Sequence, residues 1–337
     1  GQPTGEPQVP GRPMGYLAPP GADPEADVTS WVGRTDAGEP YTDPTAQQVV
    51  DTLERYHSSY YIDHSEPPAP LFIASGFTDD LFPVVEALRF ANRTRREYPD
   101  APVSLMFGDF GHQRAANKPA DRARLVAAIR AWMDHWLRGG PPPARGVTAT
   151  TQTCPHTDAS DGPFTAPTFA QLAHAAVHFA SSTPQTILSS GGNPAVGRAI
   201  DPITGGGDDC GTTSADDEPG TATYRLPSAP ASGYTLLGAP TISAKLTSSG
   251  QPGMTQIAGR LWDVAPDGSS QTLVARGLYR PTGGGTDTWQ LNANGWRFAP
   301  GHVAKLELLG SDPPFARPSN EPFQVGVNQL DLRLPVR

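Results

Sequence analysis

An aspartate and a histidine, each in a glycine turn directly after an apolar run, are the residues of this chain best placed to do chemistry. The run Leu71-Phe72-Ile73-Ala74-Ser75 leads into Gly76-Phe77-Thr78-Asp79-Asp80. About thirty residues later Val103-Ser104-Leu105-Met106-Phe107 leads into Gly108-Asp109-Phe110-Gly111-His112. Strand, turn with carboxylate, helix, strand, turn with imidazole is the chain order in which a Ser…Asp…His triad delivers its last two members. There the imidazole takes the serine proton and the carboxylate orients the imidazole. His112 is the candidate base, the plainer reading being a histidine on a surface turn. Asp79 and Asp80 compete for the orienting role, and Asp80 could instead cap the helix that follows. Asp109 reads as a turn residue. The nucleophile motif G-x-S-x-G belongs upstream of both turns, and it occurs nowhere in the 337 residues. The chain reads as one part of an enzyme.

The remaining candidates are weaker. Tyr56, His57, Tyr60 and Tyr61 form an aromatic cluster with polar tips. It reads as packing of a covering segment or, with Tyr60 and Tyr61 foremost, as a wall of the substrate pocket. Asp201, Asp208, Asp209, Asp216 and Asp217 crowd the region of Cys210, but without the tight ligand spacing of a calcium loop. They read as a solvated acidic loop. His64, His135, His156, His174, His178 and His302 have no chemical context. The reading includes no metal and no cofactor.

Composition bounds the rest. A net charge of −9 leaves no basic stripe to displace counterions from phosphate, so a nucleic-acid partner is not expected. The apolar runs fall far short of the roughly 20 residues that span a bilayer. Cys154 and Cys210 lack metal-ligand spacing. They are read as a disulfide, free thiols being the alternative, and a loop of that length would gain roughly 4 kcal/mol on the chain-entropy model. A disulfide points to a secreted or cell-envelope protein.

The elements that must position these residues follow from periodicity. Residues 1–45 are rich in proline and glycine, with a short helix expected after an Asp23 cap. Pro44 opens a helix over 44–58. Residues 82–93 and 119–137 read as amphipathic helices, the second with Leu125, Val126, Ile129, Trp132, Met133 and Trp136 on its apolar face. Strand, helix, strand, helix is α/β patterning. From about residue 145, one short helix near 169–176 is expected, followed by about nine short strands, the pattern of a β-sandwich or jelly roll. The expected divisions are a loop-rich segment over 1–66, an α/β part over 67–140 and a sandwich over 141–337, with the boundary at Gly139–Pro143.

Together these features resemble the cocaine-esterase / X-prolyl dipeptidyl peptidase group of α/β-hydrolases. Gly76-Phe77-Thr78-Asp79 matches that group's acid turn, and Gly108-Asp109-Phe110-Gly111-His112 its base turn. Gly259-Arg260-Leu261-Trp262-Asp263-Val264 is similar to its C-terminal sandwich. The resemblance selects Asp79 over Asp80. It implies the C-terminal part of an α/β-hydrolase core with lid helices over residues 1–66, followed by a jelly roll, and a serine hydrolase of small esters or peptides acting through an acyl-enzyme. Two strands cannot make a parallel sheet on their own. Residues 1–140 are therefore not expected to fold independently, and a second polypeptide carrying the N-terminal core and the G-x-S-x-G serine is the expected partner, unless the chain is an excerpt. The competing reading is a non-catalytic binding sandwich with a degenerate hydrolase remnant, with Trp262, Trp289 and Trp296 as the aromatics of its face.

Overall fold

The computed structural model describes residue 21 and residues 27–57, 62–79, 81–112, 115–201, 208–281 and 285–337. The chain divides into two units, residues 1–63 and 64–337. In the first, α1 (Val28–Ala37) is capped by Asp27, whose carboxylate accepts from Ser30 N, four residues beyond the expected cap. Asp23 itself lies outside the described residues. The helix α2 (Pro44–His57) carries proline at its first position as expected. The Arg34 guanidinium donates to Asp43, and that bond holds the Asp43 carboxyl down at about 2.

The second unit opens with β1 (Leu71–Gly76), α3 (Val84–Glu97), β2 (Val103–Gly108), α4 (Pro119–Arg138), β3 (Gly146–Ala149) and β4 (Phe164–Ala166). These strands form one sheet in the order β1-β2-β3-β4. β1–β2 and β2–β3 pair parallel, and β3–β4 antiparallel. Every residue of the inner strand β2 is buried, whereas β1 is mostly half-buried. Among the described residues β1 pairs with β2 alone, so its other edge is open. The sheet does not stop at Gly139–Pro143, where the sequence places a boundary. Gly139, at φ 70°, ends α4 in the left-handed conformation that glycine tolerates best. The prolines that follow keep the helix from resuming, and the chain returns to the sheet as β3.

After a 3₁₀ turn (Phe169–Leu172) the chain forms β5 (Ala175–Ser181), β6 (Gln185–Leu188), α5 (Pro194–Ala199), β7 (Thr212–Ser214), β8 (Ala222–Arg225), β9 (Tyr234–Gly238), β10 (Thr241–Ser249), β11 (Ile257–Val264), β12 (Ser270–Tyr279), β13 (Gly285–Gln290), β14 (Asn294–Phe298), β15 (Val303–Leu309) and β16 (Gln324–Val336). One sheet runs β13-β10-β16-β9-β14, with β5 and β6 also on β16; the other runs β7-β12-β11-β15-β8. Their facing residues, among them Leu236, Ile242, Val325 and Leu332 from the first and Leu261, Val274 and Leu306 from the second, share one core. Residues Gln324–Val336 form one long strand. Lys245 pairs with Gln329 and Leu246 with Val327, so Asn328 is the extra residue of a bulge that shifts the register without ending the strand.

The α/β sheet and the two-sheet stack are continuous. Val84 and Ala91 from α3, Leu105 and Phe107 from β2, and Val147 and Ala149 from β3 pack with Leu172, Leu237 and Ala293. The apolar face of α4 is largely outside. Trp132 is buried, while Val126, Ile129, Met133 and Trp136 are exposed.

Candidate functional site

β1 and β2 run parallel in register, from Leu71 opposite Val103 to Gly76 opposite Gly108. Their turns therefore leave the same end of the sheet side by side. Asp79 Oδ1 and Oδ2 lie 2.9 and 2.8 Å from His112 Nδ1. The Asp79 side chain is 9% exposed and that of His112 47%. Asp79 Oδ1 also accepts from the backbone N–H groups of Leu81 and Phe82, which fixes the carboxylate from the chain's own next turn. The Phe82 ring sits 5.4 Å from the imidazole. With Nδ1 held by the carboxylate, Nε2 is the nitrogen left for a reacting group.

Two glycines allow this approach. A Cβ at Gly76 would lie 1.3 Å from the carbonyl oxygen of Phe110, and one at Gly111 2.6 Å from the Cα of Asp79. Asn117 closes the base turn by donating to His112 O and accepting from Gly111 N. Its φ of 48° falls in the left-handed region, which asparagine enters more readily than most side chains.

Asp109 is more than a turn residue. It is fully buried, accepts from Thr78 Oγ1 at 3.0 Å, and pairs with Lys118 Nζ at 3.0 Å. Lys118 also donates to the carbonyl oxygens of Thr153 and Asp158. One ammonium thus ties the acid turn, the base turn and the start of α4 to the loop after β3. The sequence offered one signal for this group. Lys118 is one of only three lysines in an arginine-rich chain, and it immediately precedes the proline that opens a helix.

Beside Asp79 lies a cavity of about 150 Å³, lined by Phe77, Asp79, Gln152, Asp209, Asn294 and Phe315 among others. Burial pushes the Asp209 carboxyl up to about 7. The opposite wall carries Arg276, paired at 3.0 Å with Asp201. Cys154 and Cys210 form a disulfide, 56 residues apart in sequence. Of the other candidates, Tyr60, Tyr61 and Asp80 lie outside the described residues, and Tyr56 is exposed. No helix among the described residues is long and apolar enough to cross a membrane.

No protein-family model and no curated protein sequence matches the chain. Solved structures do. An α-amino acid ester hydrolase superposes on 93% of this chain and 62% of its own, at TM-score 0.58 and 14% identity. An aminopeptidase from a marine sediment Thaumarchaeota archaeon superposes on 93% of this chain and 60% of its own, at TM-score 0.63 and 12% identity. A CocE/NonD family hydrolase from Staphylococcus aureus aligns over 79% of this chain and 54% of its own, at 8% identity and TM-score 0.48. The fold, mostly β with a few helices, is the one the first two of these hydrolases share, as the motif resemblance implies. The chain spans about three-fifths of the length of the two better-matched structures.

Proposed function

We propose that this chain supplies the acid and the base of a serine hydrolase that cleaves small esters or peptides through an acyl-enzyme, the serine coming from polypeptide outside residues 1–337. The observation that carries this reading is the contact of Asp79 with His112 Nδ1 at 2.8–2.9 Å, at the ends of adjacent parallel strands. Asp79 holds the imidazole so that Nε2 faces the nucleophile. His112 then takes the serine proton as the hydroxyl attacks the acyl carbon, and returns it to the leaving alkoxide or amine. In the second half-reaction it takes a proton from water, which releases the acid and restores the serine. Oxyanion donors would come with the nucleophile, since its own backbone N–H groups commonly build that hole.

Three features favour further polypeptide at this sheet. β1 leaves an open parallel edge, α4 turns an apolar side outward, and the chain accounts for about three-fifths of the superposed hydrolases. On this reading residues 1–66 form the lid, with Tyr60 and Tyr61 toward the substrate, and the stacked sheets are a jelly roll. The Cys154–Cys210 disulfide favours action outside the reducing cytosol.

The test is a fluorophosphonate label applied to the assembly that a tagged copy of this chain recovers from its source. A serine adduct within a G-x-S-x-G sequence is expected, with labelling and turnover slowed about 10²–10⁴-fold in His112→Ala. Absence of an adduct, or an unchanged rate in that variant, overturns the reading.

A further inference from the structure

Away from the acid–base pair, three lone-pair donors converge on one point. His156 Nε2 lies 2.8 Å from Asp208 Oδ1 and 3.1 Å from Asp209 Oδ1. The second imidazole nitrogen, Nδ1, lies 3.6 Å from Cys210 Sγ. That sulfur is bonded to Cys154 and carries no proton, so the thiols are not available as ligands.

The surroundings hold this convergence in place. Gln152 Nε2 donates to Asp209 Oδ2 and to the Asp209 carbonyl, which turns Oδ1 toward the imidazole. Gln152 is in turn fixed by Asn294 Nδ2 at 2.6 Å. The Cys210 N–H donates to Asp208 Oδ1. The nearest ammonium, that of Lys118, is taken up by Asp109 and two carbonyls. Bonds of about 2.0–2.2 Å to a tetrahedral zinc ion put neighbouring ligand atoms about 3.3–3.6 Å apart, so the side chains would open by roughly half an ångström to admit it. The ligand atoms lie within 4.8 Å of one another.

We propose that His156, Asp208 and Asp209 form a binding site for a divalent transition-metal ion, zinc being the best fit. One imidazole and two carboxylates match the nitrogen and oxygen ligands that zinc accepts. Calcium would need six to eight oxygens. Water completes the coordination, because the His156 and Asp208 side chains are 37% and 56% exposed. The Cys154–Cys210 bond assembles the site before the ion arrives, since His156 and the two aspartates are close to its two ends in sequence. Because Asp209 also lines the cavity beside Asp79, the ion would stiffen one wall of that cavity.

The inference does not depend on the hydrolase reading, and its test needs no activity. The chain is stripped with a chelator, its disulfide left intact, and titrated with zinc chloride in a calorimeter. One zinc per chain is expected, with affinity weakened at least about tenfold in His156→Ala and in Asp209→Asn. Thermal melts without zinc establish that each variant folds. Should His156→Ala fail to fold, the imidazole ¹⁵N spectrum of the wild-type chain decides, since zinc must move the Nε2 resonance of His156 and of no other histidine. Failure to bind zinc below millimolar concentration, equal affinity in the variants, or calcium binding as tightly as zinc overturns the proposal.

Discussion

The two β regions of residues 64–337 differ most in how far their strands are buried. In the two-sheet stack, β11 lies between β12 and β15 and is buried at every position. Its Arg260 is wholly enclosed with Glu307 and Asp312. The α/β sheet has one strand of that kind, β2, with half-buried β1 beside it and an open edge beyond. Among the described residues the stack also ends on strands paired on one side only, β13 and β14 in one sheet and β7 and β8 in the other, but β11 stays buried between its neighbours. The α/β sheet relies on the stack for part of its core, through Leu237 and Ala293, and on Lys118 for its polar ties. Asp79 and His112 thus stand on the less self-sufficient of the two regions.

This contrast can be broken at the seam. Lys118→Met leaves Asp109 buried without its cation, and removal of one partner from a buried pair costs about 3–5 kcal/mol. In urea, stability should fall by that amount. Hydrogen exchange should then quicken in β1 and β2 while β11 stays protected; equal loss in both would show that the regions unfold as one. Cys154→Ser with Cys210→Ser tests the second tie between the loop after β3 and the stack, with an expected loss of about 2–4 kcal/mol. A loss confined to the α/β sheet would sharpen the contrast.

The smallest effect is expected inside the stack. Burial raises the Asp263 carboxyl above its ordinary value, against the hydrogen bonds from Trp296 and His302 that lower it. A carboxyl raised on folding holds its proton longer in the native state than in the unfolded one. Its contribution is fully present below the unfolded value near 4 and is lost as pH rises through the folded value. Melting temperatures from pH 4 to 8 should therefore decline less steeply in Asp263→Asn. An identical slope would mean that this group does not titrate in that range.

The sequence was legible where local pattern and burial agree. Both glycine turns, the strands before them and most strands of the stack follow from apolar runs between breakers, and the pairing of Asp79 with His112 follows from their order. The exposure of the α4 face was not legible because helical periodicity identifies an apolar side without saying whether anything covers it. The short helix expected near 169–176 is the 3₁₀ turn Phe169–Leu172, and the strand β5 that follows went unread because only its pairing with β16 decides it. Asp109 was missed because its partner, Lys118, comes from a different element. The closeness of His156 to Asp208 and Asp209 was hidden for the same reason, since they are some fifty residues apart in the chain.

The missing side chain at position 76 constrains how the molecule can change. A methyl group there would land on the Phe110 carbonyl, so even alanine would push the base turn off the acid turn. The two turns cannot drift apart independently: a library randomised at this codon and selected for hydrolysis should return the parental residue alone, and a homologue with another amino acid there would have had to rebuild both loops together.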